Sequence, residues 1–199
     1  MNYAKTIAVG TIVLTAAIAV PLSQQVLGST ASTITTPFDA FLGGDDGALG
    51  EDGGELPDGV TVFDDDYPAV ANLDPDLLQA LRDAADDAAG AGIAFQVNSG
   101  WRSEAYQEQL LDDAVDKYGS REEAARWVAT PETSAHVSGD AVDISQGEAT
   151  SWLARHGSSY GLCQIYRNEP WHFELRPEAT EIGCPRPYAD PTEDPRLQQ

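Results

Sequence analysis

The amino-acid sequence predicts an α+β fold, with a small, mainly antiparallel central sheet flanked by helices. Helices come early and strands late in the folded region, which is the element order of that class. The length of 199 residues suits one domain with accessory segments, since an ordinary core needs about 100 to 150 residues. No internal repeat interrupts this reading.

In chain order, Lys5 precedes an apolar run from Thr6 to about Leu22. This reads as an export signal, with a length between a signal-peptide core and a membrane span of about 20 residues. Residues 1–28 are therefore expected to be a signal peptide or an N-terminal membrane anchor, placing the rest outside the cytoplasm, either secreted or anchored to the outer face of the cytoplasmic membrane, at the cell wall. No Cys follows the run, which removes lipid anchoring. Residues 29–66, rich in Gly, Asp, Ser and Thr, are expected to be an acidic disordered linker. The folded domain is expected to cover 67–199.

Leu73-Asp74-Pro75-Asp76 combines an acidic cap with Pro at the first helical position, and starts a helix to about Ala89. Leu77, Leu78, Leu81, Ala84, Ala85 and Ala88 recur along one of its faces, and Gly90 is a natural stop. Residues 93–98 alternate as a half-buried strand does and run into Ser99-Gly-Trp-Arg102-Ser103. Ser103 caps a second helix to about Tyr118, and Ser120-Arg-Glu-Glu123 is a capping box that opens a third through Trp127. A loop at 129–134 leads to a strand at 141–144, a helix at 149–160 and two strands at 164–167 and 171–175.

The net charge of −22 excludes binding of nucleic acid or anionic lipid through a basic surface. Membrane contact is expected only through the N-terminal segment, and the domain is expected to act as a monomer. Cys163 and Cys184 are the two cysteines. With an export signal upstream, an even count favours a disulfide, two free thiols being the alternative.

The chemistry sits in a split constellation: Ser134-Ala-His136-Val-Ser-Gly139-Asp-Ala141-Val-Asp143, then Glu169-Pro-Trp171-His172. Two imidazoles and a carboxylate are the ligand set of a catalytic zinc with a fourth position open to water, whereas structural zinc sites are usually closed by four ligands rich in Cys. His136 and Asp143 are separated by a Gly-containing turn that can bring both side chains to one point, with Ala141 small enough to leave room between them. Pro170 implies a tight strand entry that sets Glu169 near His172.

These motifs, Ser-x-His-x-x-Gly-x-Ala-x-Asp and Glu-x-Trp-His, resemble those of the VanY-type D-alanyl-D-alanine carboxypeptidases over roughly Val70 to Arg196. The resemblance implies the fold shared with lysostaphin-like peptidases and the hedgehog signalling domain. It also implies one Zn2+ held by His136, Asp143 and His172, with Glu169 as the catalytic base. The family's Ser-Gly-aromatic-Arg-Ser segment is matched by Ser99-Gly100-Trp101-Arg102-Ser103, with Trp101 where Tyr is more usual. Arg102 suits recognition of a free terminal carboxylate by paired hydrogen bonds. Gln107 and Ser134 are further substrate-binding candidates, although Ser134 can merely shape its loop and Gln107 can be a solvated helix residue.

The implied activity is removal of the C-terminal D-alanine from peptidoglycan stem peptides, which are the expected partners. An L,D-carboxypeptidase, a D,D-dipeptidase, a wall endopeptidase and a non-catalytic zinc-binding interaction module are the alternatives. A purely structural zinc has no use for Glu169, which weighs against the last.

Overall fold

The computed structural model describes residues 49–198. The expected export segment lies outside them, as does the linker before residue 49. Among the described residues, no helix is long and apolar enough to cross a membrane.

The rest of the expected linker is folded, which corrects its assignment as disordered to residue 66. Gly50–Gly53 forms a short 3-10 turn, Thr61 bridges to Gln96, and the Val60 carbonyl accepts from Val97 N at 2.8 Å. Val60 and Val62 are buried in the main core. Two valines among aspartates carry too little periodicity to announce a strand, yet they suffice to pin the segment once a neighbouring backbone pairs with it.

A short helix α1 (Pro68–Ala71) leads into α2 (Pro75–Ala89). Asp74 caps α2 as expected, its Oδ1 accepting from Asp76 N at 2.9 Å and from Leu77 N at 3.1 Å. Leu77, Leu81, Ala84, Ala85 and Ala88 form its buried face. Next come β1 (Val97–Ser99), α3 (Glu104–Tyr118), capped by Ser103 Oγ, and α4 (Arg121–Ala124), capped by Ser120 Oγ. The chain continues through β2 (Ala141–Ile144), α5 (Glu148–His156), β3 (Leu162–Gln164), β4 (His172–Leu175) and α6 (Ala179–Ile182).

The four strands form one antiparallel sheet in the order β1-β2-β4-β3. One face, carrying Val97, Val142, Ile144, Leu162 and Phe173, packs with α2 and with Ala149 and Leu153 of α5 into the main core. By the two-residue period of a strand, Ala141, Asp143, His172 and Glu174 lie on the other face. β1 is shorter than the alternation at 93–98 predicts, because its register breaks: Val97 pairs with Ile144 and Ser99 with Asp143. Two residues of β1 thus span one step of β2, a bulge that turns Ser99 toward the same side as Asp143.

Other boundaries shift by a few residues. The helix expected at 149–160 ends at His156 and tightens into a 3-10 turn, Gly157–Tyr160. The strand expected at 164–167 lies at Leu162–Gln164, where its apolar residues face the core. The C-terminal segment closes in two 3-10 turns, Pro191–Glu193 and Pro195–Leu197, capped by the carboxylates of Asp190 and Asp194.

Candidate metal centre

Asp143 and His172 are directly opposed across β2 and β4. This cross-strand position holds two side chains on one face about 5 Å apart at Cβ. His136 comes from the loop before β2. There Gly139 has φ 81° and packs so closely that a Cβ would meet the Asn72 carbonyl oxygen at 2.6 Å, so the expected need for Gly in this turn is physical on both counts.

One ligand atom from each of His136, Asp143 and His172 lies within 4.8 Å of the others, and all three residues are buried. His136 Nε2 is 3.4 Å from Asp143 Oδ1, and His172 Nδ1 is 3.1 Å from the same oxygen. Metal–ligand bonds of about 2.0–2.1 Å in a tetrahedron require ligand separations of this size.

The far side of each ring is committed elsewhere. His136 Nδ1 donates to the Gly100 carbonyl at 2.7 Å, and His172 Nε2 faces Glu174 Oε1 at 3.3 Å. Each ring thereby turns its other nitrogen, His136 Nε2 and His172 Nδ1, toward Asp143, the arrangement that outer partners impose on metal-ligating histidines.

The three groups are also electrostatically coupled. Burial lowers the His136 pKa, with the Arg102 charge acting the same way. Burial works against the charged form of His172 too, but the Asp143 and Glu174 carboxylates outweigh it and push that ring up to about 10. Burial tends to raise Asp143, yet the two imidazoles hold it well below the usual carboxylate range. Two imidazoles and a carboxylate at these separations fit one metal ion.

Glu169 lies on the same cleft of about 270 Å³ as the three ligand residues. It is 7% exposed, and its Oε1 is buried without a hydrogen-bond partner. Burial pushes its pKa up to about 7. A carboxylate so placed is expensive to hold. It is poised to exchange protons near neutral pH.

Arg102 is also on the cleft, but its guanidinium is partly used by the protein. Nε donates to Ser99 Oγ at 2.7 Å, one terminal nitrogen donates to Gln107 Oε1 at 3.1 Å, and the other donates to Asp143 Oδ2 at 3.1 Å. It braces a ligand carboxylate as well as lining the pocket. Gln107 is buried and bridges Arg102 to the Ala129 carbonyl at 2.9 Å, so it is an internal brace and not a solvated helix residue. Ser134 Oγ accepts from His136 N at 3.2 Å, shaping the ligand loop while lining the cleft.

Glu174, 1% exposed behind His172, belongs to neither sequence motif. Its signal was available: two residues beyond His172 on a strand is the same face. Glu174 stands opposite Ala141, so the small side chain there leaves room for this carboxylate. Cys163 and Cys184 form a disulfide enclosing Glu169 and His172 in its loop.

Residues 70–178 match the VanY family of D-alanyl-D-alanine carboxypeptidases. The chain is 31% identical over 126 residues to a D-alanyl-D-alanine carboxypeptidase of Enterococcus faecalis, a match covering 51% of this chain and 47% of that protein. The chain thus spans about half the length of the curated relative it matches. Among solved structures it is similar to the vancomycin resistance D,D-pentapeptidase VanY of the VanB-type cassette, a mutant in complex with Zn(II). There the identity is 30% and the TM-score 0.52, covering 56% of this chain and 78% of that one. VanYB in complex with D-alanine-D-alanine is similar at 30% identity and TM-score 0.52, with 56% and 76% covered.

Proposed function

Since the chain belongs to the VanY family of D-alanyl-D-alanine carboxypeptidases, we propose that it is an exported zinc peptidase that removes the C-terminal D-alanine from peptidoglycan stem peptides. The observation that carries this reading is the convergence of His136 Nε2, Asp143 Oδ1 and His172 Nδ1 beside the buried, unpartnered carboxyl of Glu169. The solved relatives support the metal and the substrate class, one being complexed with Zn(II) and the other with D-alanine-D-alanine. The apolar run after Lys5 and the Cys163–Cys184 disulfide support an extracytoplasmic location.

His136, Asp143 and His172 would hold the zinc, which when bound polarises the scissile carbonyl and acidifies water. Glu169 accepts the proton of the attacking water on its carboxylate and delivers it to the nitrogen of the departing D-alanine. Its raised pKa suits both transfers, because a group titrating near 7 gives up a proton as readily as it takes one. Arg102 spends three of its five N–H groups on Ser99, Gln107 and Asp143. The other two, at the cleft wall, pair with the free terminal carboxylate of the substrate.

The test compares a peptide ending in D-Ala-D-Ala with the same peptide amidated, following release of D-alanine or its amide by chromatography. Zinc-loaded protein should cut the free acid far faster. Equal cleavage of both overturns the carboxypeptidase reading in favour of a wall endopeptidase.

A further inference from the structure

Behind His172, on the side away from the cleft, the C-terminal turn is bonded into the metal centre. Glu174 is 1% exposed, and its carboxylate has four protein contacts. Oε1 faces His172 Nε2 at 3.3 Å and Arg196 at 3.2 Å, while Oε2 receives Arg196 at 2.7 Å and also Arg176. Arg196 therefore grips the carboxylate with both terminal nitrogens, the fork geometry that fixes position as well as charge.

Arg196 is itself fixed from behind. Its Nε lies 3.0 Å from each oxygen of Asp194, a side chain with no exposure, and its backbone N donates to Asp194 Oδ1 at 2.9 Å. Asp194 Oδ2 accepts from Tyr166 Oη at 3.0 Å, and the Tyr166 ring centre is 5.2 Å from that of His172. The chain of contacts leaves the ligand through Glu174, runs through the C-terminal turn, and returns to the ligand through Tyr166.

We infer that the C-terminal turn Pro195–Leu197 is a working part of the metal centre: Arg196, by fixing Glu174, positions His172 and sets the zinc affinity of the protein. This rests on the zinc reading above. Arg196 is a positioning residue that acts through Glu174. A histidine held by a fixed acceptor keeps its tautomer and ring plane, and outer partners of this kind are worth about 10- to 100-fold in metal affinity. Without Arg196, Glu174 loses two of its four contacts, and Oε1, the oxygen that faces His172, keeps no other partner among the described residues. Arg176 remains as a second partner, but Arg196 supplies the only contact shared by both Glu174 oxygens among the described residues.

The experiment is zinc affinity by competition with a chromophoric chelator on the full chain, for wild type, Glu174→Gln, Arg196→Ala, Arg196→Lys and the Glu174→Gln/Arg196→Ala double variant. Thermal melting of each metal-free protein runs in parallel. Glu174→Gln should weaken zinc binding by about 10- to 100-fold. Arg196→Ala should weaken it in the same direction, and Arg196→Lys should recover part of the loss. The double variant should be no weaker than Glu174→Gln alone, since coupled residues are not additive.

Arg196→Ala that melts lower but binds zinc like wild type shows a merely structural turn and overturns the inference. Additive losses in the double variant overturn the route through Glu174. A wild-type chain that binds no zinc overturns the metal reading and takes this inference with it. If Arg196→Ala does not fold, Arg196→Lys carries the comparison: wild-type zinc affinity in Arg196→Lys, or a loss in Glu174→Gln/Arg196→Lys equal to the sum of the two single losses, contradicts the inference.

Discussion

A buried carboxyl with an unpartnered oxygen costs a protein stability, and Glu169 is such a group. Its pKa, pushed up to about 7 by burial, compares with about 4.3 in an unfolded chain. The metal-free fold therefore keeps this proton to higher pH than the unfolded chain does, and the group's contribution is lost as pH rises through about 7. Metal-free Glu169→Gln should melt above wild type at pH 8 and converge with it toward pH 4.5. A difference in melting temperature that does not change with pH contradicts this. In the zinc-loaded protein the same substitution should leave the metal in place and lower kcat by about 100-fold or more, the usual worth of a general base. Steady-state kinetics beside metal analysis checks both halves. At this scale the meeting of His136, Asp143, His172 and Glu169 on one cleft was legible, because these residue types stand at fixed spacing in two short motifs. Glu174, Asp194 and Arg196 were not, because a buried Glu–Arg pair between positions 174 and 196 has no local pattern. Gln107 was half legible: its place was right, but only the Ala129 carbonyl shows it to be a brace.

At the scale of elements, the site depends on strand register. Asp143 and His172 face each other across one step of the sheet, and the bulge between Val97 and Ser99 brings the Arg102 partner to the same side. Gly139→Ala should test how tightly the loop before β2 is fixed. A Cβ at φ 81° and 2.6 Å from the Asn72 carbonyl should lower stability by about 1–3 kcal/mol, read by denaturant unfolding, and weaken zinc binding through His136. The Cys163–Cys184 bridge spans 21 residues, and its removal by Cys→Ser at both positions should cost about 3 kcal/mol in the chain-entropy account. Unchanged stability in the double Ser variant contradicts that. The helix Pro75–Ala89 was legible to its ends, since Asp74, Pro75 and Gly90 punctuate a long apolar face. The strands were legible only approximately. Three or four residues hold barely two periods, and pairing with neighbours, not local pattern, decides where each begins.

At the scale of the whole molecule, the sheet separates two tasks. Its core face, with α2 and α5, supplies the apolar mass, and its other face carries the charged groups around the cleft. The class was legible in its helix-rich start and short strands, although the strands at Val97–Ser99 and Ala141–Ile144 are interleaved with helices before they pair into one antiparallel sheet. The start of the domain was not, since Val60 and Val62 join the core from within an acidic stretch. The central claim is that this fold presents one zinc to a peptide ending in D-alanine. The most direct measurement is mass spectrometry of purified muropeptides incubated with the protein after chelation and again after zinc is restored. The account predicts loss of one C-terminal alanine from D-Ala-D-Ala stems with zinc and none in its absence, with Glu169→Gln inactive in both. Unchanged muropeptides with a fully zinc-loaded wild-type protein, or the same cleavage after chelation, would contradict it.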